Sequence, residues 1–422
     1  MKQTFYERIG ESAFRETLPN GLTVCVIPKP EYAKSYAFFA TRYGGMDVRF
    51  QLDGSWLDTP AGIAHYLEHK MFDTKEGNAL QELAKNGAEP NAFTSNFITG
   101  YYFDSTRSFE ENLKILLSFV SIPYFTEESV AKEQGIIGQE IRMIEDNPDW
   151  QVYTRMMQGL YRKSPARISV AGSIDSIKQI TADTLYSCHK AFYTPSNMML
   201  CAVGPVDPVH VVDLAAGILP REGGPVIPRD YGEEPMEVET GETELSMEVS
   251  TPQFLAGYKC APAENGEGHL RAGLIGDMAC DLLLGESSPL YLRLYDEGLI
   301  NSSFGGSFEQ MPGIAYLYAG GDSRDASAVR AAITAEAKRL AEEGIDEDYY
   351  QRVRRASFGG LLRDLNSFEN IAVSLTEGTF SGYDAFRFPQ VFDTITKDDI
   401  AAFLRENLVE ERSVLSRILP KN

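Results

Sequence analysis

The chain has 422 residues, and its 61 acidic against 39 basic side chains leave a formal net charge of −22. Hydrophobic residues at 43% and aromatics at 11% exclude wholesale disorder and give room for two or three packed domains, at about 100–200 residues per domain. The acidic balance excludes nucleic acid as a partner, because phosphate binding wants a basic surface.

The first residues, Met1 to Arg8, hold no apolar core of the kind a signal peptide needs, and no stretch approaches the roughly 18 consecutive apolar residues of a membrane span. Residues 21–43 contain two short β-branched and aromatic runs around a Pro-containing turn, which predicts a pair of strands. Asp58-Thr59-Pro60 predicts a helix start, with Thr59 as cap and Pro60 at the first helical position, and the helix runs to about Met71. Asn78 starts a second, short helix that ends near Gly87, and the alternation over residues 91–104 predicts one strand. Further helices are predicted at about 108–121 and at 127–146, the latter capped by Thr126 and stopped by Asn147-Pro148.

A dense run of breakers follows: Gly217, Pro220, Gly223, Gly224, Pro225, Pro228, Gly232 and Pro235. It predicts a first domain over residues 1–220, a linker over 221–235 and a second domain over 236–422. Residues 244–260 repeat the strand pattern of 21–43, and helices near 268–284, 326–343 and 347–365 match those of the first half. The expected fold class is therefore α+β, two homologous domains each built from an antiparallel sheet covered by helices. The five cysteines, Cys25, Cys188, Cys201, Cys260 and Cys280, are scattered and never form a CxxC, against a disulfide framework or a cysteine-based zinc finger. A cytoplasmic protein with reduced thiols and no membrane span is the expectation.

The chemistry sits in Ala64-His65-Tyr66-Leu67-Glu68-His69-Lys70. At about 100° per residue, His65, Glu68 and His69 share one arc of the helix, while Ile63, Tyr66, Leu67 and Met71 lie on the opposite side and can enter a core. Two imidazoles one turn apart can bind a single tetrahedral zinc, and a carboxylate beside them can hold an attacking water. Only five histidines exist in the chain, so their coincidence with a glutamate is specific; His189, His210 and His269 are isolated. On the 127–146 helix, Glu133 and Glu140 are superposed after two turns, in a stripe with Ile137 and Ile144. Carboxylates on an apolar stripe are costly to bury unless paired or bound to metal, which favours Glu140 as the third ligand.

With this HxxEH motif the sequence resembles the pitrilysin/insulinase family of inverted-zincin metallopeptidases, which also contains the mitochondrial processing peptidase. The resemblance implies a mitochondrial-processing-peptidase-like fold, with one Zn²⁺ on His65, His69 and Glu140 and Glu68 as general base. It implies that Glu133 supports the site from behind, and that Asn91-Ala92-Phe93-Thr94 begins a strand whose edge holds the substrate peptide. The implied activity is zinc-dependent endopeptidase action on peptides or small unfolded substrates inside a clam-shell chamber. One departure stands out. Active members carry an Arg and a Tyr in a later domain, after a Ser-Pro-Leu-type helix start. Here Ser288-Pro289-Leu290 is followed by Tyr295 and Asn301 at those places. The departure implies a heterodimer, rather than a homodimer, in which a metal-free homologue supplies the Arg and Tyr.

Two rivals have different signatures. S-ribosylhomocysteine lyases also use an HxxEH metal pair, but with a cysteine ligand in a much shorter chain. A catalytically silent binding or scaffold subunit of a peptide-processing complex is the other alternative, which a zinc measurement on the isolated chain distinguishes.

Overall fold

The two segments Ser35–Thr41 and Met198–Gly204 are buried at every position, the pattern of strands covered on both faces. They lie side by side at the heart of a seven-stranded sheet in the computed structural model, which describes residues 1–421. The strands of the first half are β1 (Lys2–Tyr6), β2 (Glu11–Thr17), β3 (Thr23–Pro28), β4 (Ser35–Thr41), the hairpin β5 (Arg49–Leu52) and β6 (Ser55–Asp58), the two-residue pair β7 (Asp73–Thr74) and β8 (Gly77–Asn78), β9 (Ala88–Thr94), β10 (Thr99–Ser105) and β11 (Met198–Gly204). The large sheet has the order β1-β2-β3-β11-β4-β10-β9. All neighbours are antiparallel except β3 and β11, which run parallel with Cys25 opposite Cys201.

The second half supplies β12 (Glu242–Met247), β13 (Gln253–Lys259), β14 (Gly305–Met311), β15 (Ile314–Asp322) and β16 (Ser413–Pro420), in the order β12-β16-β13-β15-β14. Again one neighbour pair, β12 with β16, is parallel and the rest antiparallel. Five strands of the first sheet, β3-β11-β4-β10-β9, thus recur in the same order and sense in the second. The repeat that the sequence carries mainly as pattern is explicit in the topology. Each predicted strand pair (β3 with β4, β12 with β13) is split by a strand from far along the chain, β11 or β16.

Several local expectations change. Residues 91–104 form a hairpin, not one strand, because Ser95 reverses the chain: its hydroxyl accepts from the N–H groups of Phe97 and Ile98 at 3.2 and 3.1 Å. Pro90, which has no N–H, is tolerated in β9 because that strand is a sheet edge. The predicted helices are α1 (Ile63–Met71), α2 (Ala79–Lys85), α3 (Phe109–Ser121) and α4 (Glu127–Asp146). Asn147 and Pro148 both end α4 and begin α5 (Pro148–Leu160), where the Asn147 side chain accepts from the N–H groups of Asp149 and Trp150.

The chain divides into two compact units. One holds Met1–Ile141, Ser169–Tyr231 and Asp364–Phe380; the other holds Arg142–Ile168, Gly232–Arg363 and Ser381–Asn422. The change at Tyr231 falls within the breaker run, but the halves are not contiguous. Helix α5 packs on β12, β13 and β16, burying Val152, Met156 and Leu160. The fit is close: a Cβ on Gly159 would lie 2.6 Å from Val414. Conversely, the helix Phe368–Phe380 covers β4 and β11 of the first sheet with Phe368, Ile371, Ala372 and Leu375. An apolar helical face announces burial, not which sheet buries it.

Candidate metal centre

Helix α1 carries both histidines, and its start differs from the expectation. Thr59 is not the cap, because its N–H and hydroxyl both donate to the Val48 carbonyl, at 2.8 and 3.1 Å. The cap is Gly62, in the left-handed region at φ +90°, and a Cβ there would lie 2.6 Å from the Ala171 carbonyl oxygen. Glycine is required on both counts. Beyond it, Ile63, Tyr66, Leu67 and Met71 are buried as the helical phase predicts. Tyr66 reaches across to α4 and donates its hydroxyl to the Val130 carbonyl, fixing the two helices at that point.

That fixation sets α1 against Glu133 and Glu140 of α4. Nε2 of His65 lies 3.4 Å from one oxygen of Glu140, and Nε2 of His69 lies 3.5 Å from the other. Ligand atoms of His65, His69 and Glu140 all fall within 4.8 Å of one another, the one such group among the described residues. No cysteine joins it, and the five cysteines are buried and outside any disulfide. Two imidazoles and a carboxylate with donors this close together are the ligand types of a three-residue zinc site with an open fourth position, so this donor set fits the ion. Glu133 sits behind, with one oxygen 3.1 Å from Nδ1 of His69. His189 and His210 are engaged elsewhere, on the Val120 carbonyl and on Glu110, while His269 is buried on the Glu267–Leu284 helix.

The charge environment follows from this packing. The Glu140 carboxyl is held below the usual carboxylate range by its hydrogen bond with His65, against the opposing effect of burial. For His69, burial opposes protonation, but the Glu133 hydrogen bond and the charges of Glu68 and Glu140 outweigh it and raise the pKa. Glu68 is 7% exposed, and burial pushes its carboxyl up despite a hydrogen bond from Thr94 and the nearby imidazoles. Buried carboxylates with raised pKa values are the kind of group that general-base chemistry uses.

On the neighbouring edge strand β9, Asn91 is exposed and Ala92, Phe93 and Thr94 are half-buried. Phe93 stacks on Phe38 at 5.8 Å, and the Asn91 side chain accepts from the Ala92 N–H. Thr94 has a more specific engagement: its hydroxyl donates to Glu68 at 2.7 Å. Among the described residues β9 pairs only with β10, which makes it an edge of the sheet.

A family model described as Insulinase (Peptidase family M16) matches residues 52–173, and one described as Peptidase M16 inactive domain matches residues 179–357. The uncharacterized zinc protease YmfH of Bacillus subtilis (strain 168) is 38% identical over 428 residues, a match covering 100% of each chain. The chain belongs to the insulinase family, peptidase family M16. An M16-like peptidase of Alicyclobacillus acidocaldarius has a similar solved structure, with a TM-score of 0.94 and 32% identity over 97% of this chain and 99% of that one. A protease from Helicobacter pylori shares the fold, with a TM-score of 0.84 at 20% identity over 97% of this chain and 99% of that one.

Two features of this M16 chain escape sequence reasoning. One is the Thr94–Glu68 hydrogen bond, 26 residues apart and visible only once β9 is packed on α1. The other is Lys70: seven residues on from Ile63, its position falls on the inward face of α1, and a lysine occupies it, 1% exposed. No helix among the described residues is long and apolar enough to cross a membrane.

Proposed function

We propose that this chain is the metal-bearing subunit of a zinc-dependent endopeptidase. Zinc would be held by Nε2 of His65, Nε2 of His69 and a carboxylate oxygen of Glu140. The observation that carries this reading is that one ligand atom from each of His65, His69 and Glu140 lies within 4.8 Å of the other two, with Glu68 beside the donors but outside the set. The naming of M16 relatives as zinc proteases supports it.

Zinc, when bound, supplies Lewis-acid polarisation of a carbonyl and lowers the pKa of water. The remaining work belongs to the chain. Nδ1 of His69 donates to Glu133, which leaves Nε2 as the ligand nitrogen. Glu68, oriented by the Thr94 hydroxyl, takes a proton from the attacking water and returns it to the leaving amine. The open edge of β9 binds an extended peptide by main-chain hydrogen bonds, with Asn91 to Thr94 alongside it.

The second half supports a partner. Ser288 caps the helix Pro289–Asp296, yet Tyr295 stands at the position of the family's Arg, stacked on Tyr291. Asn301, at the position of the Tyr, is committed to Asp322 and to its own turn through Ser303. A homologous, metal-free chain supplying Arg and Tyr to the oxyanion completes the chemistry.

Zinc analysis and peptide digestion test this together. His65→Ala and His69→Ala lose the metal, whereas Glu68→Gln keeps it and loses turnover. Turnover in Glu68→Gln refutes the base assignment, and full activity of the purified chain alone refutes the heterodimer. A chain that takes up no zinc is a scaffold.

A further inference from the structure

Lys70 follows the second histidine directly, and it is 1% exposed, among the largest fully buried side chains of the chain. An ammonium taken out of water is costly unless it is paired. Its nitrogen pairs with Asp73, three residues on, and lies 4.0 Å from an oxygen of Glu133, an ion-pair distance and not a hydrogen bond. The other oxygen of Glu133 is the one at Nδ1 of His69. Glu133 therefore has its two oxygens divided between an imidazole and an ammonium, adjacent in sequence on α1.

A simple pair with Asp73 does not account for this arrangement. Asp73 is more than a third exposed, and an i,i+3 pair of that kind can form at the surface with the lysine in water. Position 70 lies on the inward face of α1, seven residues on from Ile63, and there the ammonium reaches the side of Glu133 that His69 does not use. A carboxylate with one partner can turn about its last torsion; one flanked on both oxygens has a single orientation. That orientation keeps an acceptor in line with Nδ1 of His69, and so keeps Nε2 turned toward Glu140.

We propose that Lys70 is a positioning residue of the metal site, its charge holding the Glu133 carboxylate against His69. The proposal rests on the reading of His69 as a zinc ligand, and its test separates the two. Zinc affinity of the full chain is measured by competition with a chromogenic chelator, for the wild type, Lys70→Met, Lys70→Arg, Glu133→Gln and the Lys70→Met/Glu133→Gln double variant. Lys70→Met should weaken zinc binding by about 10- to 100-fold, the range for residues that orient a ligand from behind. Lys70→Arg should restore most of that loss. In the Glu133→Gln background the same change should cost less than about twofold, because its route to the metal is already cut.

A folded Lys70→Met chain with wild-type zinc affinity overturns the proposal. So does an equal loss with and without Glu133, which would mean that Lys70 acts through the general packing of α1. If Lys70→Met does not fold, Lys70→Gln, uncharged but able to hydrogen-bond Asp73, is read by the same criteria. A wild-type chain that binds no zinc overturns the reading of the site as well as this inference.

Discussion

Replacing Thr94 with valine keeps the shape of the side chain and removes one hydroxyl. That hydroxyl donates to Glu68 at 2.7 Å, and Glu68 is 7% exposed, so little water can replace the lost donor. A hydrogen bond to a charged group contributes about 1.5–3 kcal/mol, which at 1.36 kcal/mol per tenfold corresponds to roughly 10- to 150-fold in rate. The expected result is a fall in kcat on that order with KM nearly unchanged. The sign of the pH effect follows as well. The Thr94 donor favours the ionised carboxylate, and burial already pushes Glu68 upward. Its loss raises the pKa further and moves the acid limb of the rate profile to higher pH. The assay is steady-state hydrolysis of an internally quenched peptide by zinc-loaded protein with its partner chain, across the acid limb, with Thr94→Ser as the control that restores the donor. A rise in KM at constant kcat would refute the reasoning and make Thr94 a substrate contact, the role the Asn-Ala-x-Thr resemblance implied. Unchanged kinetics would mean that the Thr94 hydroxyl does not tune or orient Glu68.

His189 is buried, with Nε2 on the Val120 carbonyl, and burial lowers its pKa from 6.5 to about 4. The folded state thus binds the proton less well than the unfolded one, and stability falls as pH drops from 6.5 toward 4, by about 2 kcal/mol between pH 7 and pH 5. Denaturant unfolding at those two pH values should show a smaller loss for His189→Phe than for the wild type; an equal loss places the acid sensitivity elsewhere. Gly62→Ala should destabilise by about 2–5 kcal/mol, combining left-handed strain with the approach of its Cβ to 2.6 Å from the Ala171 oxygen. Thermal unfolding checks this, and an unchanged midpoint would mean that the start of α1 can shift at no cost.

The metal motif was legible because helical phase is a local property. His65, Glu68 and His69 share one arc whatever the rest of the chain does, and Glu133 and Glu140 share another for the same reason. Bringing the two arcs together needed a demand for a third ligand, and the packing that meets it, Tyr66 on Val130, cannot be read from spacing. The misread start of α1 has a similar cause: Thr59 has a cap's chemistry, but its hydroxyl is taken by Val48, from a segment whose proximity the sequence does not state. Residues 91–104 read as one strand because alternation persists through the Ser95 turn. The parallel pairs β3–β11 and β12–β16 join strands about 170 residues apart, and burial patterns carry no register over such distances.

The exchange of helices between the two sheets bears on how this molecule can be cut. A fragment ending in the breaker run would keep β4 and β11 but lack the Phe368–Phe380 helix that covers them, and would carry α5 with Val152, Met156 and Leu160 deprived of their sheet. The complementary fragment would have the opposite defects. The HxxEH half is therefore no minimal enzyme to be subcloned. The place where the sequence most resembles a seam is one where scissors would leave two sticky, half-clothed pieces.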